Sequence, residues 1–297
     1  MPFPTPLSLP PALSPGDLVA VVAPSSSFPR DEFFRGLSWL RARYRIRIAS
    51  DVFAHDGFLA GSDAKRAAEL ASAMRDPEVR AIVAARGGYG AMRILDDLPW
   101  HEFARRPKWL AGFSDVTALH ASAWRVGVAS LHGPNVTGLG GAAPRERGSL
   151  LQGLERPSSS RAWAALTVVR DGWAEGAVVG GNLSIVHAMA AAGRLIVPEG
   201  AVVALEDVTE APYRVDRMLT SLLLGGHLAR ASAVVFGGFD RCPPGKDGRT
   251  VEEVLFERTS GLGIPVLAGA PFGHGACNEA FVLGRNVRVE GDAVHWL

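Results

Sequence analysis

Lys108-Trp109-Leu110-Ala111-Gly112-Phe113-Ser114-Asp115-Val116-Thr117-Ala118-Leu119-His120 changes character twice. Trp109 to Ala111 is an apolar run that reads as a buried strand, Gly112 to Asp115 as a sharp corner, and Val116 to Trp124 as a helix. Strand, corner and helix in that order is the repeating unit of an α/β fold. The same order puts the Ser114 hydroxyl at the carboxyl edge of a sheet and at a helix N-terminus. Backbone N–H groups there lack partners, and the local potential favours negative charge. Ser114 is therefore either a helix N-cap or a nucleophile whose reaction creates an oxyanion.

The flanking sequence repeats the alternation. Leu18 to Pro24 is a continuous apolar run of the kind found in parallel strands covered on both faces. A helix follows over Arg30 to Arg43, then a strand over Ile46 to Val52 and a Ser62-capped, alanine-rich helix from Ala64 to Met74. Val79 to Ala84 is the next strand. It leads into Arg86-Gly87-Gly88-Tyr89-Gly90, a glycine-rich loop whose backbone can approach a ligand closely, and a helix over Ala91 to Leu95. The loop is not a G-x-G-x-x-G fingerprint, so a dinucleotide site is not expected. Val128 to Leu131 completes a mostly parallel sheet flanked by helices, in which Ser114 and the glycine loop both lie at carboxyl ends of strands, where ligands bind.

Between Gly138 and Arg161 glycine, serine, proline and arginine dominate. The expected organisation is an N-terminal α/β domain over 1–140, a linker over 141–162 and a smaller C-terminal α/β domain over 163–297. That second domain has strand character at Trp163 to Val169 and Ala174 to Val179, and Gly180-Gly181-Asn182-Leu183 opens a helix. A buried strand, Ala201 to Leu205, then delivers Glu206 and Asp207. The helix Tyr213 to Leu224, the strand Ala233 to Phe236, the helix Val251 to Arg258 and the strand Pro265 to Leu267 follow. Ala280 to Leu283, Val287 to Glu290 and Ala293 to Trp296 form short antiparallel strands at the end.

Across 297 residues the hydrophobic fraction is 47% and the charged fraction 21%, enough for a sizeable core. Lysine and arginine number 31 against 30 acidic residues, so the net charge of +1 gives no drive toward nucleic acid or an acidic membrane. Cys242 and Cys277 are too sparse for a disulfide scaffold or a zinc site. The proline-rich lead, Met1 to Pro15, lacks the pattern of a secretory signal, and no run is long enough to span a membrane. A cytoplasmic protein is expected, with neither metal nor other cofactor.

A serine nucleophile needs a base, and the base needs a carboxylate to fix its tautomer. His274, flanked by Gly273 and Gly275 past a strand end, is free to reach a crevice, whereas His120 lies within the helix after Ser114 and reads as packing. Glu206 and Asp207 both stand where an orienting acid would, on opposite faces of their strand, so only one can address a given histidine. Trp163 and Trp173 offer rings on which a nucleobase could stack, but each reads first as a core residue.

Taken together, Arg86-Gly87-Gly88-Tyr89-Gly90, Gly112-Phe113-Ser114-Asp115, Gly180-Gly181-Asn182-Leu183, Leu205-Glu206-Asp207-Val208-Thr209-Glu210 with Tyr213 to Leu219, and Gly273-His274-Gly275 with Asn278 and Leu283-Gly284 resemble the L,D-carboxypeptidase family. That family includes microcin C immunity-type peptidases. The likeness runs from about residue 13, through Pro15-Gly16-Asp17 and Ala23-Pro24-Ser25-Ser26, to about residue 284. It departs at Phe281-Val282-Leu283-Gly284, where the family usually carries Leu-Pro-Leu-Gly. The resemblance implies a serine peptidase whose Ser–His–Glu triad is split between two domains, with Ser114 as nucleophile, His274 as base and Glu206 as orienting carboxylate. It implies an oxyanion hole at the N–H groups of Gly88 and Asp115, with Arg86, Gly87, Tyr89 and Asn182 assigned to substrate binding. The expected reaction is hydrolysis of an L,D-amide, releasing terminal D-alanine from a murein tetrapeptide in cell-wall recycling. Its substrate is a peptide or peptide-like small molecule, and the enzyme is a homodimer. The alternatives are cleavage of aminoacyl-sulfamoyl nucleotide conjugates and a two-domain α/β binding protein without turnover. A metal-dependent hydrolase on His132, Asp115 and Glu206 is the remaining reading.

Overall fold

The structure, a computed structural model, describes residues 7–297. The first part of the proline-rich lead, residues 1–6, lies outside the described residues. The polypeptide forms two compact units. One runs to Pro157 and includes Glu279–Leu283, and the other comprises Ser158–Asn278 and Gly284–Leu297.

In the first unit β1 (Leu18–Val22), β2 (Arg45–Ile48), β3 (Val79–Ala84), β4 (Trp109–Gly112) and β5 (Ser130–His132) are joined by a returning strand, Phe281–Leu283. The sheet order is Phe281–Leu283, β5, β4, β3, β1, β2. Neighbours from β2 to β5 are all parallel, and only the returning strand runs antiparallel, against β5. The strand order reverses between β1 and β3, so the loops leaving these strands border the crevice where such sheets bind ligands. All five residues of β1 are buried, as its apolar run requires. The helix Arg30–Arg41 turns Phe33, Gly36, Leu37 and Leu40 inward at helical spacing. The helix Asp63–Arg75 begins where the Ser62 hydroxyl accepts the Lys65 N–H at 3.3 Å.

Several elements differ from the sequence expectation. Strand β2 stops at Ile48; it is an edge strand whose arginines alternate toward solvent, and the chain then turns. Inside the segment expected as a linker lies a helix, Pro144–Glu155. Proline at its first turn favours it, the Glu146 carboxylate accepts the Ala143 N–H at 2.6 Å, and Leu150 and Leu154 are buried. Phe281-Val282-Leu283, expected among the C-terminal strands, closes the edge of the first sheet instead. All three residues are buried there, and the Phe281 ring stacks on His132 at 4.9 Å.

The second unit holds β6 (Arg161–Trp163), β7 (Thr167–Arg170), β8 (Trp173–Asn182), β9 (Ala201–Val208), β10 (Ala231–Asp240) and β11 (Val266–Ala268). With the returning strand counted as β12, it ends on β13 (Asn286–Glu290) and β14 (Ala293–Trp296). The order is β6-β14-β13-β8-β9-β10-β11-β7. Strands β8 to β11 are parallel, and the closing strands β13 and β14 are antiparallel, as expected. The run Trp163 to Val169 is broken at Ala165, whose φ is +58°, so its halves become β6 and β7 at opposite edges of the sheet. Trp163 is in the core at 2% exposure, but Trp173 is 59% exposed, because β8 starts beyond the cover of its neighbours. The two units together make the two-domain α/β fold that the alternation implies. Among the described residues no helix is long and apolar enough to cross a membrane.

One contact in the first unit reaches toward the Ser114 corner. A β-carbon on Gly36 would fall on the Val136 carbonyl oxygen, so helix Arg30–Arg41 lies directly against the short helix Val136–Leu139, whose N-cap is Asn135. Gly36→Ala is expected to lower stability by about 1–3 kcal/mol through overpacking, read as a lower denaturation midpoint with an unchanged m-value.

Candidate active site

In the first unit β4 ends in a corner that no ordinary turn explains. Ser114 has φ of +64°, a left-handed conformation in a residue that carries a side chain. Such a residue costs about 1–3 kcal/mol and persists only where its surroundings hold it. Three contacts do so. The Phe113 N–H donates to Asn135 Oδ1 at 3.2 Å, and the Gly133 N–H donates to the Gly112 carbonyl at 3.1 Å. Next to the serine, the Asp115 carboxylate is buried and accepts the Ala91 N–H at 2.8 Å, which ties the corner to the end of the glycine loop. Burial pushes that carboxyl above its ordinary range, opposed by the hydrogen bond from Ala91. No side-chain cap is formed at the start of the turn Ser114–Val116 or of the helix Thr117–Arg125, so the N-cap reading of Ser114 does not describe this corner.

The glycine loop lies against the same serine. A β-carbon on Gly87 would come within 2.8 Å of Ser114 Cβ and 3.0 Å of its Oγ, so only glycine fits. Gly88 follows at φ +99°; the Tyr89 N–H donates to Ser26 Oγ at 3.1 Å and holds the loop to the segment after β1. Asp115 is the second residue of a helical start, where N–H groups have no intrahelical partner. Arg86 and Tyr89 are exposed at the rim. Arg86 donates to the Ser27 carbonyl at 2.7 Å, and the Tyr89 ring meets Phe58 edge-on at 5.5 Å. His120 is buried, with Nε2 donating to the Gly112 carbonyl at 2.9 Å, and burial lowers its pKa to about 4. It is a neutral packing histidine, as its helical position suggests.

The second unit assembles the other candidates. Glu206, at the end of β9, is fully buried, and its Oε2 lies 2.7 Å from His274 Nδ1. Asn182, at the end of β8, donates through its amide to Glu206 Oε1 at 3.3 Å and to Asp207 Oδ1 at 3.0 Å. Its own oxygen caps the helix Leu183–Ala191 by accepting the Ile185 N–H at 3.2 Å. Asp207 accepts the Ser184 N–H at 2.9 Å and hydroxyl at 2.7 Å through its other oxygen. Of the two acids, Glu206 is the one hydrogen-bonded to His274. Burial pushes the Glu206 carboxyl upward, opposed by the histidine. Burial also opposes charge on His274, but the carboxylates of Glu206, Asp207 and Asp240 outweigh it and raise the imidazole pKa above its usual value.

Each unit therefore offers one part of acyl-transfer chemistry. The first presents a hydroxyl beside backbone N–H groups. The second presents an imidazole whose Nδ1 is engaged by a buried carboxylate, which leaves Nε2 for proton transfer. Three supporting residues carry no sequence signal of their own. Asn135 and Ser184 look like ordinary loop and helix polar residues. Arg66, inside an alanine-rich helix, is buried and donates to the carbonyls of Pro24 and Gly90, the second at 2.9 Å, joining the loops after β1 and β3. Among the described residues no group of three or more His, Cys, Asp or Glu side chains is placed to hold a metal ion.

Residues 19–133 match the profile of the LD-carboxypeptidase N-terminal domain, and residues 175–289 that of its C-terminal domain. The murein tetrapeptide carboxypeptidase of Pseudomonas aeruginosa is 34% identical over 292 residues, which covers 94% of each chain. The crystal structure of muramoyltetrapeptide carboxypeptidase from Oxalobacter formigenes superposes with a TM-score of 0.84 at 27% identity, covering 94% of this chain and 97% of that one. The microcin immunity protein MccF, in complex with glutamyl sulfamoyl guanosine, superposes with a TM-score of 0.89 over 98% of each chain; at 21% identity this is a likeness of fold.

Two measurements check these local environments. Replacing Ser114 with glycine removes a left-handed strain of about 1–2 kcal/mol and adds about 0.5–1 kcal/mol of backbone entropy. Ser114→Gly is thus expected to melt slightly above the parent and Ser114→Ala not to do so. In an NMR titration the His274 imidazole should protonate above the ordinary histidine value of about 6.5. In Glu206→Gln it should move below the parent's value, because the desolvation that remains favours the neutral ring.

Proposed function

Because the chain belongs to the LD-carboxypeptidase family and is a serine peptidase of that type, we propose that it hydrolyses the L,D-amide joining the terminal D-amino acid to a murein tetrapeptide. Ser114 Oγ attacks the scissile carbonyl while His274 Nε2 takes its proton. The oxyanion forms against the N–H groups of Gly88 and Asp115, and Glu206 accepts the Nδ1–H of the imidazolium. Collapse of the tetrahedral adduct breaks the C–N bond, and the amine of the released D-amino acid leaves with the proton from His274. Water then hydrolyses the acyl ester with the same histidine as base. The observation that supports this most is the strained Ser114 at φ +64° against Gly87. A serine in a packing or capping role has no reason to carry that strain. The murein substrate is favoured by the 34% identity to the P. aeruginosa enzyme across nearly the full length of both chains. The cytoplasmic location and homodimeric state expected from the sequence belong to the same reading.

The test is turnover of a murein tetrapeptide beside an aminoacyl-sulfamoyl-adenosine, with release of D-alanine measured. The tetrapeptide is expected to be the better substrate, and the reverse order would move the protein to the nucleotide-conjugate class. Ser114→Ala should lower kcat by roughly 10⁴-fold or more with folding retained. A few-fold loss with a lowered melting temperature would instead give Ser114 a structural role at its corner. Because the neutral imidazole is the active form and its pKa is raised, kcat/KM should fall as pH drops through a value above the usual histidine range.

A further inference from the structure

Beside the glycine loop, wholly within the first unit, lies a pocket of about 330 Å³. Its lining includes Ser27, Phe28, Arg30, Phe53, His55 and Arg86, and contains no carboxylate. The floor is apolar: the rings of Phe28 and Phe53 lie 5.6 Å apart, over the buried Val52. Above it, Arg30 Cζ is 4.3 Å from the centre of the Phe53 ring. Arg86 is anchored through one nitrogen to the Ser27 carbonyl at 2.7 Å, so the rest of its fork is held in place without being used up. Asp31, the acid next to Arg30 in sequence, is held by Arg35. Among the described residues neither Arg30 nor Arg86 forms an ion pair with a carboxylate.

Two unneutralised guanidinium groups over an apolar floor suit a carboxylate attached to a small apolar group. Position narrows this further. A carboxypeptidase cuts the last amide, so the free α-carboxylate lies one residue, about 3.8 Å along the chain, beyond the attacked bond. Arg86 directly precedes Gly87, whose β-carbon position is 3.0 Å from Ser114 Oγ. We propose that this pocket is the subsite for the free terminal α-carboxylate of the peptide substrate, with Arg86 and Arg30 as its cationic partners. The assignment rests on the peptidase reading of Ser114. It makes the loop serve both sides of the cleavage, the oxyanion through Gly88 and the leaving group through Arg86.

The experiment compares kcat/KM for three peptides: a tetrapeptide with a free C-terminal D-alanine, the same peptide as its C-terminal carboxamide, and one with an internal carboxyl amidated. The parent should prefer the free acid over the carboxamide by about 100-fold. In R86Q and R30Q that ratio should fall to about 10 or less, and R86K should restore part of it. An unchanged ratio in both glutamine variants overturns the subsite, as does an arginine dependence that follows the internal carboxyl. Absence of hydrolysis of any peptide by the parent overturns the peptidase reading and the subsite with it. Hydrolysis with no discrimination between acid and carboxamide overturns the subsite alone. Arg86 and Arg30 are both exposed, and circular dichroism of each variant separates a folding defect from a loss of recognition.

Discussion

Holding a non-glycine residue at φ +64° is the constraint around which the first unit is arranged. The strain would relax if the corner could rotate, and the neighbouring contacts prevent it from both sides. Asn135 fixes the backbone before Ser114, and Asp115 fixes it after by bonding to Ala91. Gly87 fills the space that a rotated side chain would need. Asn135 is in turn the N-cap of a helix that Gly36 lets the helix Arg30–Arg41 approach, and the Thr137 N–H in that short helix donates to the Ala85 carbonyl at 3.0 Å. Local strain at the hydroxyl is thus carried by packing well away from it.

Burial does comparable work in the second unit, by electrostatic means. Glu206 is taken fully out of water, and the histidine and the Asn182 amide compensate the buried Asp207 neighbour and the lost hydration. An isolated buried carboxylate would simply take up a proton. Here it lies 2.7 Å from His274, whose charged form the cluster of Glu206, Asp207 and Asp240 favours. The cost is an imidazole that needs a higher pH to be neutral, and the gain is a ring fixed in one orientation.

How far the chain could be read from its residues follows from how local each feature is. β1, β3 and β4, the Ser62 cap and the Ser114 corner are set by a few consecutive residues, and they lie where the pattern puts them. Glu206 and His274 are 68 positions apart; Glu206 lies near the end of β9, and His274 in the glycine-flanked segment beyond β11. The returning strand was not legible, because Phe281-Val282-Leu283 is equally apolar whichever sheet takes it up. Nor was the break at Ala165, since alanine gives no warning of a positive φ. Helix Pro144–Glu155 was hidden by a composition rich in glycine and arginine, although proline at its start and Glu146 in its first turn are helix signals in retrospect. Arg66 and Asn135 carry no pattern of their own: their partners are backbone carbonyls and N–H groups from distant loops, which no spacing in the sequence reveals.

The polar groups nearest the chemistry are largely committed to one another. Asn182 bonds two carboxylates and caps a helix, Asp207 serves the start of that helix, and Asn135 and Asp115 hold the serine corner. Groups with their hydrogen bonds already made inside the protein are poor reporters of what a substrate looks like, because they would be arranged the same way for any acyl compound. Discrimination has to come from groups that are ordered but still have donors to offer. At the rim of the first unit that description fits Arg86, fixed at one nitrogen, and Arg30, stacked on a ring. A fold of this kind can keep a reaction while its substrates change by substituting rim residues of this sort, whereas a change at Asn182 or Asn135 would disturb the surroundings of Glu206 or the Ser114 corner.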